Sequence, residues 1–447
     1  MSRRNRGGPA KKADVMTNEA RITRRRFIKK ACCASSPLVL PYFVPGSVFG
    51  KTGIRPSERI TIGAIGIGDQ GTNDLKGFLQ LPNAQIVAVC DVSRPARQRG
   101  LTLVNDKYGN SDCSSYHDFL DMLQRKDIDA VSVVTPYHWH SLMALAALRA
   151  GKDVFMEKPV ALSVQEGRML REAVHRYDSV FQLGTQQRSG RNFRFACELA
   201  LNGRLGRVHT VKVGTSRGRV TANLPPMPVP EWLDYDRWLG PALWSAYNEK
   251  KMIRDFHENI SDFSLGMIHC WGIHHLDIAQ WGAGTENTGP FEIWGTGTFP
   301  RDGTCDCILG WDVTMKFAND LTMSFTDSTR NAHGIRFEGD QGWVFVNRGT
   351  LKAEPDSLLK EQIGPHEHRL PVSTNHFQDF LDAVRTRERP VAPIDVAVRS
   401  DTLCHLSYIS IQLGRKLRWD AEREQFTDDT WADRLLLPRP MRSPWHL

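Results

Sequence analysis

No CxxC spacing occurs among the nine cysteines of this 447-residue chain, and the sequence has neither an internal repeat nor a low-complexity segment. The first absence removes the zinc knuckle. The seven cysteines beyond Cys32 and Cys33 are an odd number, which argues against a disulfide framework while leaving one pairing open. The weakly apolar stretch that follows Lys30 is interrupted by Pro37, Pro41 and Pro45, so it would make a poor membrane-spanning helix. Excess charge of one sign is also scarce once it is located. Residues 1–30 hold eleven Lys or Arg against two acids, a net of +9, whereas the whole chain carries +8, so the remainder stands at −1. That distribution excludes a basic nucleic-acid-binding face. What remains is an ordinary globular composition, long enough for two domains with sizeable cores.

The basic tail has a pattern of its own. "TRRRFIKK", Thr23–Lys30, sets Arg24 and Arg25 side by side ahead of Phe27 and Ile28, and it resembles a twin-arginine export signal. The resemblance implies that residues 1–50 are signal and linker, that the twin-arginine translocase is a partner during export, and that the protein is periplasmic.

From Glu58 the chain changes character. "ERITIGAIGIGDQG" is a β-rich run that ends in Gly66, Gly68 and Gly71; a helical stretch and the apolar strand "AQIVAVCD" follow, closing on Asp91. This is GxGxxG between a strand and a helix, the setting that gives the pattern meaning. Gly66 permits the tight turn, Gly68 lets the backbone approach a pyrophosphate, and Gly71 lets the helix beginning at Asp69 and Gln70 pack closely. Asp91, twenty residues on, can accept from an adenosine ribose. Its charge favours NAD over NADP, although Arg94 and Arg97 could offset a 2′-phosphate. Strands and helices continue to alternate through "DAVSVVTP", "DVFMEKP" and "SVFQLGTQ", which predicts a doubly wound parallel sheet over 57–187. Residues 188–447 then read as a mainly antiparallel sheet with flanking helices, because strands succeed one another across short turns. A loop with Trp232, Trp238 and Trp244 precedes that sheet; these rings suit either core packing or stacking on sugars.

The stretch "HCWGIHHLDIAQWG", His269–Gly282, concentrates titratable groups on one helix. His269, His274 and His275 are spaced by five and one, so no two form the i, i+4 pair that offers a metal two imidazoles, and no metal is expected. Cys270, His274 and Asp277 do share a face.

Glycine turn, Glu157-Lys158-Pro159, and Gly272-x-His274-x-x-Asp277 ahead of an antiparallel sheet together resemble the Gfo/Idh/MocA oxidoreductases, in particular their exported branch, from about Glu58 onward. The resemblance implies a nicotinamide between the two domains with a sugar or polyol against the sheet, and homo-oligomers through the second sheet. It makes Lys158 and His274 the proton carriers, with Asp277 orienting the imidazole. It also places Thr135, Pro136, His140, Glu157 and Gln186 near the cofactor. An amine at the end of a buried strand is costly to keep without partners and is well placed to share a substrate hydroxyl's proton. Pro159 restricts the backbone that holds it. In the family's dehydrogenases an aspartate stands four residues before the histidine; here that position is Cys270, so the substitute is sought at His257, Asp262 or His269. His257, His269, His275 and His376 are the candidates for the sugar side, His275 with core packing beside Trp271 as its stronger reading. The expected activity is hydride transfer between a carbinol carbon and tightly bound NAD(P). An NAD-dependent glycoside hydrolase or lyase is the alternative within enzymes, and a non-catalytic sugar or nucleotide binder the alternative outside them.

Overall fold

The computed structural model describes residues 58–447 apart from Asn319. The signal and linker expected over 1–50, with Arg24 and Arg25, lie outside the described residues. No helix among those described is long and apolar enough to cross a membrane.

The first sheet is built from β1 (Ile60–Ile65), β2 (Ala84–Cys90), β3 (Ser114–Tyr116), β4 (Ala130–Val133), β5 (Asp153–Met156) and β6 (Phe181–Leu183). They lie in the order β3-β2-β1-β4-β5-β6, all parallel. β4, β5 and β6 are buried on every residue, as strands covered by helices on both faces must be. Local signals set the helices between them. Ser93 caps the helix Arg94–Tyr108 and Ser163 caps Val164–Tyr177, each accepting a backbone N–H three residues on.

The second sheet comprises β7 (Val208–Thr215), β8 (Glu292–Thr298), β9 (Gly310–Lys316), β10 (Thr322–Asp327), β11 (Gly334–Gly339), β12 (Gly342–Val346), β13 (Leu351–Glu354), β14 (Leu417–Asp420) and β15 (Gln425–Phe426). Their order is β13-β12-β11-β7-β10-β9-β8-β14-β15. The ladder is antiparallel except where β7 runs parallel to β10, because β7 is separated from its neighbours by the long tryptophan loop rather than by a hairpin.

The two sheets divide near residue 187, but their cores do not. The helix His376–Thr386 lays Phe377 on Phe78, ring centroids 4.8 Å apart, and Phe380 on Phe155 at 5.8 Å, so residues from late in the chain complete the first sheet's core. The helix Gly272–Ala283 is buried on every residue up to Gly282. Glycine at both ends allows this: a Cβ on Gly272 would stand 3.0 Å from Phe325, and one on Gly282 2.4 Å from Phe337. The helix therefore has no solvent face, and each polar side chain on it must be met by a partner from another segment.

Candidate active site

A cavity of about 470 Å³ opens off the carboxyl ends of β1, β2 and β4, the position where doubly wound sheets bind ligands. Its floor is the glycine turn. Gly66 has φ +85° and a Cβ there would stand 2.1 Å from the Val134 carbonyl oxygen; a Cβ on Gly71 would stand 1.9 Å from the Gly66 oxygen. Gly68 differs, since a Cβ there meets nothing within 4 Å. It faces the open cavity, where a pyrophosphate would lie over the start of the helix Asp69–Leu79. Thr135 Oγ1, on the cavity wall, is buried with no hydrogen-bond partner among the described residues and suits a nucleotide hydroxyl or amide. Asp91 accepts from Ile67 N at 2.7 Å and Ser93 N at 2.8 Å; burial pushes its carboxyl up and these two bonds oppose the shift. The residues present thus fit a dinucleotide.

Replacing Gly68 by valine is expected to leave the fold intact and abolish nucleotide uptake, because the added side chain enters only the cavity. Near-stoichiometric nucleotide on the purified, folded variant, read by absorbance after denaturation, would overturn that assignment.

Pro136, Glu157 and Lys158 also line the cavity, and the Lys158-Pro159 bond is cis. Lys158 Nζ donates to the Tyr137 hydroxyl at 3.3 Å and stands 3.8 Å from Glu258 Oε1. The Tyr137 hydroxyl in turn donates to that same carboxylate oxygen. Burial, then the neighbouring Cys270 and Glu258, hold the Tyr137 phenol well above its ordinary range, so it stays a donor. Among the described residues the acid that pairs with Lys158 is thus Glu258, and not one of the expected substitutes His257, Asp262 and His269. Cys270 Sγ lies 3.3 Å from Ser264 Oγ and 3.8 Å from the Glu258 carbonyl oxygen. Burial and the Glu258 charge push its thiol up to about 12, so it remains S–H and carries no charge to the site. Glu258 and Tyr137 lack any local signature in the sequence. Only the folding of the 254–258 helical turn against the end of β4 joins them to Lys158.

His257 lines the cavity, its ring edge-on to Tyr137 at 6.4 Å; burial lowers it to about 4, so it is neutral. His274 does not line the nucleotide cavity. It lies beside Trp271, ring centroids 5.5 Å apart, with Nε2 3.5 Å from Arg348 Nη2 and Nδ1 unpartnered among the described residues. Burial, then the charges of Lys158 and Arg348, hold it well below its ordinary range, so His274 is a neutral imidazole.

Other expected site residues are engaged elsewhere. Asp277 does not orient His274: Arg188 Nε and Nη2 donate to its two oxygens at 2.7 and 2.9 Å, and Ser400 Oγ donates at 2.9 Å. His275 Nδ1 meets the Gly214 carbonyl at 2.8 Å, and its ring packs on Trp271 and His333. His376 bonds the Leu183 carbonyl at 2.8 Å and Ser189 Oγ at 2.9 Å, which ties its helix to β6 and leaves neither ring nitrogen for a sugar. His140 reaches the Pro159 carbonyl at 2.6 Å and that of Thr135 at 2.9 Å; it braces the Lys158 loop from behind and is not on the cavity wall. His269 Nε2 bonds Asp401 Oδ1 at 2.7 Å, and His405 Nε2 stands 3.2 Å from Oδ2. These three form a buried group of the composition that holds metals, but their ligand atoms meet one another directly, and Asp401 also accepts from Val160 N at 3.1 Å. Gln186 Nε2 donates to Glu157 Oε1 at 2.6 Å and so acts on the cavity through that carboxyl. The Arg94 backbone N–H is held by Trp232 while its side chain is exposed. Arg97 donates to the Asp91 carbonyl at 2.6 Å.

Sheet order, glycine turn and the lysine closing β5 together define a two-domain dinucleotide-binding protein. The chain belongs to the Gfo/Idh/MocA oxidoreductase family: residues 60–185 match its NAD-binding Rossmann fold and residues 215–447 its C-terminal alpha/beta domain. A glycosyl hydrolase family 109 protein of Saccharopolyspora erythraea is 41% identical over 113 residues, 24% of either chain, so the match spans about a quarter of that relative's length. Among solved structures, the WlbA dehydrogenase of Bordetella pertussis, in complex with NADH and UDP-GlcNAcA, superposes with a TM-score of 0.62 at 16% identity, over 81% of this chain and 98% of that one. The aldose-aldose oxidoreductase of Caulobacter crescentus gives 0.57 at 19% identity, over 80% and 99%. At such identities the two structures share the fold.

Proposed function

We propose that this protein is an enzyme that oxidises a carbinol carbon of a sugar or polyol with a resident NAD, Lys158 and His274 handling protons. The observation that carries the reading is the amine of Lys158, set on the wall of the nucleotide cavity and backed by the Tyr137–Glu258 pair. A bound nicotinamide supplies the hydride acceptor and donor. Lys158 shares the proton of the substrate hydroxyl, and Glu258 holds its amine in place through Tyr137 and at 3.8 Å directly. Neutral His274, with Arg348 alongside and Nδ1 without a partner among the described residues, offers the substrate a second hydrogen-bonding group. NAD is favoured over NADP because the Asp91 carboxylate repels a 2′-phosphate, while Arg97 and Arg99 are spent on the backbone carbonyls of Asp91 and Ile67.

A second reading, redox-assisted glycoside cleavage, is supported by the relatives named as glycosyl hydrolases and by the uncharged Cys270 where the family's dehydrogenases hold an acid. Oxidising a ring carbinol to a ketone acidifies the adjacent C–H. Loss of that proton expels a leaving group from the next carbon, water adds to the enone, and reduction of the ketone restores the sugar.

Export is part of the proposal. A twin-arginine signal suits a protein that folds around its nucleotide before crossing the membrane, and outside it little free NAD is available. Purified enzyme should carry NAD(H), and a sugar alone should yield at most one equivalent of reduced nucleotide. A matched carbonyl acceptor, or a glycoside with a good leaving group, should restore turnover without added nucleotide. Deuterium from D₂O at the carbon next to the oxidised one would select the cleavage reading. Apo-protein that turns over many times only with added free NAD would overturn the resident-cofactor reading.

A further inference from the structure

We propose that residues 230–242 and 439–447 form a two-part latch over the adenosine end of the nucleotide cleft, with Trp232 and Trp445 as its adenosine-facing side chains. The inference rests on the reading of the cavity as a dinucleotide site. Within that site Asp91, at the end of β2, marks the ribose end. The backbone on either side of this end is tied to the tryptophan loop. Arg94 N donates to the Trp232 carbonyl at 2.9 Å, Ser93 pairs with Leu233 in an antiparallel bridge, and Asp234 N donates to the Val92 carbonyl at 3.3 Å. Across the cleft, the Asp234 carboxylate stands 3.2 Å from His117 Nε2 and Arg237 Nη1 donates to Asp118 at 2.5 Å. The loop thus spans the adenosine end from the turn after β2 to the segment after β3.

The second part fastens the first. Arg442 Nε donates to the Gly240 carbonyl at 3.1 Å, its Nη2 to the Asp236 carbonyl at 2.6 Å, and its backbone N to the Pro241 carbonyl at 3.0 Å. The turn it grips is packed closely on Trp139: Gly240 has φ +50°, and a Cβ there would stand 2.0 Å from the Trp139 ring. Trp445 then rests edge-on against Trp139 at 4.7 Å and stacks on Phe119 at 6.5 Å. Trp232 and Trp445 both line the cavity, and Trp232 is still 39% exposed, so an aromatic face is available to a flat heterocycle. These side chains therefore serve the nucleotide rather than the sugar. An adenine nucleotide leaving by this end must first part the loop from Val92–Arg94 and from Arg442.

The test loads the protein with NADH and follows its replacement by excess NAD through loss of the bound NADH fluorescence. Arg442→Ala, which touches the loop and not the cavity, and Trp445→Ala are each expected to raise the dissociation rate at least about tenfold, a tenfold change being about 1.4 kcal/mol. Melting temperatures confirm that a faster rate comes from a folded protein; if Trp445→Ala does not fold, Arg442→Ala decides. Wild-type rates in the folded variants would overturn the latch while leaving the cavity a nucleotide site. A wild-type protein that neither carries nor takes up NAD(H) would overturn the cofactor reading and the latch with it.

Discussion

Replacing Lys158 with methionine is expected to slow turnover by a factor on the order of 10² to 10⁴, the usual worth of a positioned acid or base, while nucleotide binding persists. The cavity keeps its glycine floor and Asp91 in that variant, and methionine fills the volume of the lysine stem. What is lost is the group between the substrate hydroxyl and the Tyr137–Glu258 pair. Single-turnover reduction of the bound nucleotide by a sugar isolates the step. A variant that keeps most of the wild-type rate would remove Lys158 from the chemistry. Glu258→Gln separates the roles further: it keeps a hydrogen-bond acceptor for Tyr137 but removes the charge beside Lys158, so its effect should be smaller than that of Lys158→Met.

The largest expected loss of stability lies away from the cavity, at Arg188. Its guanidinium and the Asp277 carboxylate are 3% and 2% exposed, paired at 2.7 and 2.9 Å, with Glu286 on the same Nη2. Burial alone would make the guanidinium easier to deprotonate, but the Asp277 and Glu286 charges outweigh it and hold it cationic. Arg188→Leu strands a buried carboxylate with Ser400 as its remaining partner, and breaking such a pair from one side costs about 3–5 kcal/mol. Urea unfolding should show a midpoint lowered accordingly. Arg188→Leu combined with Asp277→Asn should recover much of the loss, since neither charge is then left alone. A single variant within about 1 kcal/mol of wild type would show that the carboxylate finds other compensation.

The parallel sheet was legible because its signals are local: apolar strands, glycine turn, serine caps and an acid at a fixed distance all fall within short windows. The stretch His269–Gly282 misleads for the converse reason. Its spacing predicts Cys270, His274 and Asp277 on one face of a single helix, but the structure divides it at Trp271 into Met267–Cys270 and Gly272–Ala283, and the buried second helix meets different neighbours at each position. Arg188 arrives from the end of the first domain and takes Asp277; Asp401, from the helix Ile394–Leu413, takes His269. Glu258 was missed because a glutamate in a short helical turn has no pattern. It becomes notable only where Tyr137, 121 residues earlier, meets it. The latch could not be read at all, since the pairing of 92–94 with 232–234 depends on how the two halves dock.

The helix His376–Thr386, which closes the first core, has a consequence for how the chain is made. During synthesis β1 to β6 emerge from the ribosome nearly two hundred residues ahead of Phe377 and Phe380. Until those rings arrive, Phe78 and Phe155 have no cover on that side. The nascent first half is therefore a sticky intermediate that a chaperone can recognise, and a fragment cut near residue 187 inherits the same bare patch. The sheet translated earlier is thus sealed only by a helix translated late.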